Sequence, residues 1–473
     1  MKPTRILLTA LLLAPLAPLH AADAPARKPN ILWLIAEDMS PHFGCYGEKT
    51  IQTPNVDKLA AGGVLFERAF VTGPICSASR SALITGMYQT GIGAHHHRSG
   101  VQLVPRLFQQ AGYHTSNSGY FPVTKKGKTD YNFEFDPGIY DGTDWKTRKA
   151  GQPFFAQIQL FGGKIRDVAK QLAEAREQLG SVTPTDQLPL PPYYPRTPAI
   201  LDDWAATLDA VRLTDKYVGE IVERLRTEGI LDQTIIFFIS DHGVSHGRGK
   251  QFLYDEGTHI PFVVNGRGLP NGQRRQDLIE HIDMAAMSLA LAGIPLPKTM
   301  QARNALAPDY RPREATFSAR DRADETVDHI RSVRTERWKY IRNFLPQRPY
   351  LQPNAYKDHK PCVIALRAAE AAGQLNDVQR LLFAQTRAPE ELYDLAADPW
   401  EVHNLAADPA HATTRQELRA KLDRWMEQTN DQGRTPELES RYDADMAGYQ
   451  GRKPDPEVAK NIALMKQWAK EGK

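Results

Sequence analysis

Four apolar, β-branched runs, each followed by a polar loop, constrain this chain more than any other feature. They occupy residues 30–35 (NILWLI), 154–158 (FFAQI), 234–239 (TIIFFI) and 261–264 (PFVV). Continuous runs of this kind suit strands buried on both faces, as in a parallel sheet. Between them lie helical patterns. Over residues 204–226, Leu208, Val211, Leu213, Val218, Ile221, Val222 and Leu225 recur at helical spacing. Strands alternating with helices predict an α/β sandwich, with a large, mostly parallel sheet between helices. In such sheets ligands collect beyond the carboxyl ends of the strands.

Further along, residues 329–343 (HIRSVRTERWKYIRN) alternate like strands of an antiparallel sheet, and Asp398-Pro399 and Asp408-Pro409 mark turns. The pattern predicts a smaller C-terminal α+β subdomain over 311–473, after an N-terminal catalytic domain over 23–310. The proline-rich stretch 188–198 reads as an irregular surface loop near a substrate entrance. There is no internal repeat.

The first 22 residues have a basic start at Lys2 and Arg5, an apolar stretch from Ile6 and small residues around Ala21 to Ala24, the layout of a cleaved signal peptide. Export to the periplasm or beyond, without a membrane anchor, is the expectation. Losing Lys2 and Arg5 takes the formal charge from +3 to +1, which argues against a global attraction to nucleic acid. Three cysteines make no disulfide framework, although Cys45 and Cys362 are able to pair in an oxidising compartment.

The run 30–35 leads into Ala36-Glu37-Asp38, and the run 234–239 into Ser240-Asp241-His242-Gly243. Acidic clusters at the carboxyl ends of strands in one parallel sheet converge, because those ends share an edge. Carboxylates with a single imidazole suit a hard cation such as calcium or magnesium better than zinc. The competing explanation is local: helix capping by Glu37 and Asp38, and a tight turn at Asp241 before Gly243.

Residues 76–86 read CSASRSALITG, which puts one of only three cysteines ahead of two hydroxyls and Arg80. Taken alone, Cys76 is a small buried hydrophobe at a loop-to-helix junction. With its companions it resembles the maturation signature of the type I sulfatases, a branch of the alkaline phosphatase superfamily. The companions are PNILWLIAEDMSPHFGCYG, TPNVDKLAAGGVLFERAFV, SDHGVSHGRGKQFLYDEGTHIPFVV and ELYDLAADPWEVHNLAADP, in the family's order from about residue 29 to about 410. The overall flavour is similar to the bacterial relatives of heparan N-sulfatase.

The resemblance implies an alkaline phosphatase-like sandwich and a Cys76 oxidised by a formylglycine-generating maturation enzyme. The hydrated aldehyde attacks sulfur and later expels sulfate, a route that serine lacks. It further implies that Glu37, Asp38, Asp241 and His242 hold calcium, or magnesium, together with residue 76. Arg80 would hold the diol and metal region electrostatically, Lys250 would grip the sulfate, Lys128 would be the active-site lysine, and the substrate would be a sulfated carbohydrate carrying ester or N-linked sulfate.

Several positions depart from the family's pattern. Ala78 stands where proline is usual, Met87 where arginine is frequent, and Glu37 where aspartate is commoner. The usual Gly-Lys-Trp-His segment gives way to Ser118-Gly119-Tyr120, which leaves Lys128 as the nearest active-site lysine. After PFFAQIQL the family's histidine is replaced by Phe161-Gly162-Gly163-Lys164. Lys164 and His97, the last of a run of three histidines, are then the candidates for protonating the leaving group. Two further readings stay open, a phosphodiester or phosphonate monoester hydrolase on the same fold and a non-catalytic glycan-binding relative.

Overall fold

A computed structural model describes residues 28–99, 101–119, 121, 125–452 and 454–473. The leader-like segment and Tyr120 lie outside the described residues. The four runs read from sequence become β1 (Asn30–Ala36), β4 (Phe154–Leu160), β5 (Thr234–Ser240) and β6 (Phe262–Asn265), and three strands the sequence reading did not single out join them, β2 (Gly63–Phe70), β3 (His114–Gly119) and β7 (Gln273–Glu280). They form one sheet in the order β7-β2-β6-β5-β1-β4-β3, with short strands Lys125–Lys126 beside β3 and His259–Ile260 beside β2.

Strand β1 sits centrally, parallel to β4 on one side and β5 on the other. Alternation along it explains the core. Leu32, Leu34 and Ala36 face one layer, with α2 (Pro198–Thr227) and α4 (Pro361–Ala371). Ile31, Trp33 and Ile35 face the other, with α1 (Cys76–Thr85) and α3 (Asp283–Leu291). Both faces are therefore dry, which accounts for the absence of polar alternation in the sequence of β1.

One strand departs from the expectation of a parallel run. β6 lies antiparallel between β5 and β2. The chain returns from β5 through the loop carrying Asp241 to Lys250, with no crossover helix of the length that parallel pairing needs.

The C-terminal part forms a four-stranded antiparallel sheet, β8 (Thr316–Arg320), β9 (Ile330–Arg334), β10 (Trp338–Asn343) and β11 (Glu390–Asp394), paired in sequence order. Leu418, Leu422 and Trp425 of α5 (Ala412–Gln428) pack on Val333, Tyr340 and Leu392. Ala82 of α1 joins the same cluster, and Ala319 N–H donates to the Thr72 carbonyl at 2.8 Å.

The 188–198 stretch is irregular as expected but is not a surface loop throughout. Tyr193 and Tyr194 are buried, and the Tyr194 hydroxyl donates to Glu256 at 2.6 Å. Their aromatic area wins over the local proline signal. Cys45 and Cys362 are both free thiols.

Candidate active site at the carboxyl edge of the large sheet

Register sets the site. Ala36 is level with Leu160 of β4 and with Ser240 of β5, so Glu37-Asp38, Phe161–Lys164 and Asp241-His242 leave the sheet side by side. Close approach depends on glycine. A Cβ on Gly162, whose φ is +62°, would meet the Glu37 carbonyl oxygen at 2.1 Å, and one on Gly163 the Asp38 oxygen at 2.4 Å. In their place Gly163 N–H donates to the Glu37 carbonyl at 2.8 Å, which brings Lys164 to the site. Asp38 itself adopts φ +55°, sparsely populated for a non-glycine residue, and its N–H donates to Asp241 Oδ1 at 3.1 Å.

Cys76 is the first residue of α1, 7% exposed, at the helix end that favours negative charge. Its Sγ lies 3.2 Å from His242 Nε2 and 3.9 Å from Asp38 Oδ1, and it accepts a hydrogen bond from Lys250 Nζ at 2.9 Å. Ligand atoms of Asp38, Cys76, Asp241 and His242 all lie within 4.8 Å of one another. His242 Nδ1–H donates to the Gly243 carbonyl at 2.9 Å, which fixes the ring and turns Nε2 toward the centre.

Charge balance keeps this buried cluster ionised. Burial would raise the Asp38 carboxyl, but Lys250, with His242, Lys360 and Lys164, holds it well below the usual range. Burial likewise opposes ionisation of Asp241, and His242, Arg80 and Lys128 overcome it. The Cys76 thiol is also held down, because Lys250 and Lys128 outweigh burial. For His242 burial favours the neutral ring, and Asp241, Cys76 and Asp38 reverse that and raise its pKa. Two ionised carboxylates, one imidazole and residue 76 form a donor set that fits a hard divalent cation.

Glu37 stands beside this group rather than in it. Its fully buried carboxylate is met by Arg80 at 3.3 Å, Lys128 at 3.0 Å and Lys164 at 3.5 Å. The extra methylene carries the carboxylate toward those cations. Arg80, 3% exposed, also reaches Asp241 Oδ2 at 3.0 Å and Gln159 Oε1 at 2.5 Å. Lys128 is 3.4 Å from Asp130.

His97 is placed elsewhere. Its Nε2 lies 2.9 Å from Glu437 and 3.3 Å from Asp445, and no hydrogen bond or ion pair among the described residues joins it to the Cys76 centre. Two-residue strands at Gly93–Ala94 and His97–Arg98 turn this segment toward the C-terminal helices. His96 is half-buried beside Asn132, and its partial desolvation lowers its pKa well below 6.5.

Sequence reasoning missed four partners. Gln159 lies at the end of β4 and contacts Arg80 directly; a glutamine inside an apolar run was its signal. Tyr356 reaches Lys250 Nζ at 3.1 Å and Asp38 Oδ2 at 3.4 Å. Lys357 donates to the carbonyls of His246 at 2.5 Å and Lys250 at 2.6 Å, bracing the loop that carries His242 and Lys250. Lys360 donates to the Ile165 carbonyl at 3.1 Å. The last three come from the C-terminal part and carried no local signal.

Residues 29–294 match the sulfatase family model, and residues 243–350 match the C-terminal region of N-sulphoglucosamine sulphohydrolase. An ulvan-active sulfatase of Formosa agariphila is 31% identical, over 87% of this chain and 77% of its own length. Human N-sulphoglucosamine sulphohydrolase is 28% identical, over 86% and 91%. Among solved structures, that of BT4656 with its substrate D-glucosamine-2-N,6-O-disulfate superposes with a TM-score of 0.61 at 18% identity, covering 85% of this chain and 98% of that one. The phosphonate monoester hydrolase of Agrobacterium radiobacter gives 0.57 at 16% identity, covering 85% and 96%. The sequence match across the large sheet and its carboxyl edge identifies the chain as a member of the type I sulfatase family, in the alkaline phosphatase superfamily.

Proposed function

We propose that the protein removes sulfate, ester-linked or N-linked, from a sulfated glycan, with Cys76 matured to formylglycine and a calcium or magnesium ion beside it. The observation that carries this reading is the meeting of Cys76, Asp38, Asp241, His242 and Lys250 at one strand edge. The relatives named for ulvan and N-sulphoglucosamine support the substrate class. The leader-like start supports export, and among the described residues no helix is long and apolar enough to cross a membrane. We retain the division near residue 310, with the C-terminal part lending Tyr356 to the site.

A formylglycine at residue 76, as a hydrated aldehyde, would supply a nucleophilic hydroxyl and a second hydroxyl that gives sulfate a route of departure. Asp38, Asp241, His242 and residue 76 would hold a divalent cation, which would supply charge stabilisation for the sulfate. The chain's own residues do the rest. Lys250 and Lys128 place ammonium groups where the anion's charge develops. Arg80 holds Asp241 and Glu37 in position from behind. Lys164, at the carboxyl end of β4 and held by Glu37, delivers a proton to the departing sugar oxygen or nitrogen.

Sulfate release from defined glycosaminoglycan and ulvan oligosaccharides, measured by ion chromatography, tests the reading. Release from at least one sugar, far exceeding turnover of an aryl phosphonate monoester, is expected. Phosphonate hydrolysis as the faster reaction would replace it with the alternative hydrolase.

A further inference from the structure

Beyond the Cys76 centre, the site carries more positive charge than its carboxylates balance. Side-chain exposure rises outward from Cys76, through Lys128 at 13% and Lys164 at 19%, to the exposed Arg166, so these groups mark the way in. Tyr356 lies on that path. Its hydroxyl touches Lys250 and Asp38, while three cations surround its ring: Lys250 Nζ at 4.5 Å, Arg166 at 5.1 Å and Lys360 Nζ at 5.1 Å from the centroid.

Lys250 is matched by Asp38, and Lys164 by Glu37. Neither Arg166 nor Lys360 makes an ion pair at contact distance with a carboxylate among the described residues, although Asp38 acts on Lys360 from further off. Lys360 is only 3% exposed, and its hydrogen-bond partner is the Ile165 carbonyl. Burial pulls its pKa down to about 8, and Lys250, Arg166 and Lys164 add to the fall against the opposing pull of Asp38. A buried ammonium facing other cations is costly unless an anion offsets it. A guanidinium at the rim recognises carboxylate or sulfate through two parallel hydrogen bonds.

We propose that Arg166, backed by Lys360 and set on Tyr356, forms a second anion subsite that takes a carboxylate or a second sulfate of the glycan whose scissile sulfate sits at Cys76. This rests on the glycan-sulfatase reading and narrows it to substrates that carry a second anionic group besides the scissile sulfate. Arg166 makes the contact, and Lys360 supplies field from beneath.

The test uses matched sugars that differ in one anionic group: glucosamine-2-N-sulfate against D-glucosamine-2-N,6-O-disulfate, and native against carboxyl-reduced glycosaminoglycan disaccharides. The first pair reads sulfate, the second carboxylate. Wild type should favour the more anionic member of at least one pair by about tenfold in KM, on the scale of a charged hydrogen bond. Arg166→Gln should erase that preference with kcat nearly unchanged, and Arg166→Lys should keep part of it. Calorimetric binding of the same pairs to Cys76→Ala protein, with and without Arg166→Gln, gives the answer independently of turnover. Absent sulfate release with a binding preference intact would count against the functional reading and for the subsite. No preference in either assay, or one that Arg166→Gln leaves in place, would overturn the subsite.

Discussion

Lys250 donates a hydrogen bond to Cys76 at 2.9 Å across 174 positions of sequence. That contact separates this cysteine from an inert core thiol. Burial pushes the Cys362 thiol well up, and burial with the neighbouring Asp57 pushes the half-buried Cys45 thiol to about 12, whereas Cys76, buried like Cys362, is held below its ordinary value by Lys250 and Lys128. A thiol with thiolate character is a site of chemistry.

Replacing Lys164 separates catalysis from binding. With Lys164 as the leaving-group acid, Lys164→Ala should lower kcat on glycans by about 10²- to 10³-fold and leave activated aryl sulfates within a few-fold, because good leaving groups need no proton. Steady-state kinetics on both substrate classes decide it. An unchanged kcat on the glycan, with a raised KM alone, would reduce Lys164 to a binding group.

Exhaustive chelation should cut sulfate release by at least 100-fold, and calcium or magnesium should restore it where zinc does not. The donor set, two ionised carboxylates with one imidazole, favours hard cations. Metal content and activity measured on the same samples check this. Full activity in metal-free protein would remove the cation from the account.

Acid should destabilise the fold in a defined window. His281 donates from Nε2 to the Ser79 carbonyl at 3.0 Å and accepts from Thr72 N–H at 3.4 Å, so its neutral form is the one built in. Burial lowers its pKa from 6.5 to about 4, and burial likewise lowers His259 and His329 to about 4. The unfolded chain therefore takes up these protons first. The stabilisation is complete above pH 6.5 and is lost as pH falls toward 4, at up to about 1.4 kcal/mol per unit for each ring. Denaturant midpoints at pH 7, 6, 5 and 4.5 should fall steadily, and His281→Gln should flatten the slope. A variant with the wild-type slope would contradict the assignment.

The strand runs and the strand-end residues were legible because both follow from local pattern. β1 and β5, buried on both faces, are almost wholly apolar runs, whereas β3 (HTSNSG) is as buried but polar and carried no such signal; parallel neighbours in register present their ends together. Asp38, Asp241 and His242 therefore met as read. Glu37 leaves the same strand end, and there its carboxylate is met by Arg80, Lys128 and Lys164, three cations whose approach spacing along the chain does not announce. His97 was drawn off by Glu437 and Asp445, more than 300 positions away. Tyr356 and Lys360 enter the site through packing of the C-terminal part, a long-range event without periodic signature. The antiparallel β6 was illegible for a related reason: a short buried run reads the same in either direction.

The most direct test of the central claim is the mass of the proteolytic peptide spanning residue 76, taken from active protein coexpressed with a maturation enzyme. The account predicts an aldehyde at residue 76, in a fraction that tracks specific activity from preparation to preparation, and no turnover by Cys76→Ala protein with unchanged thermal stability. Fully active protein with an unmodified thiol at Cys76 would contradict it.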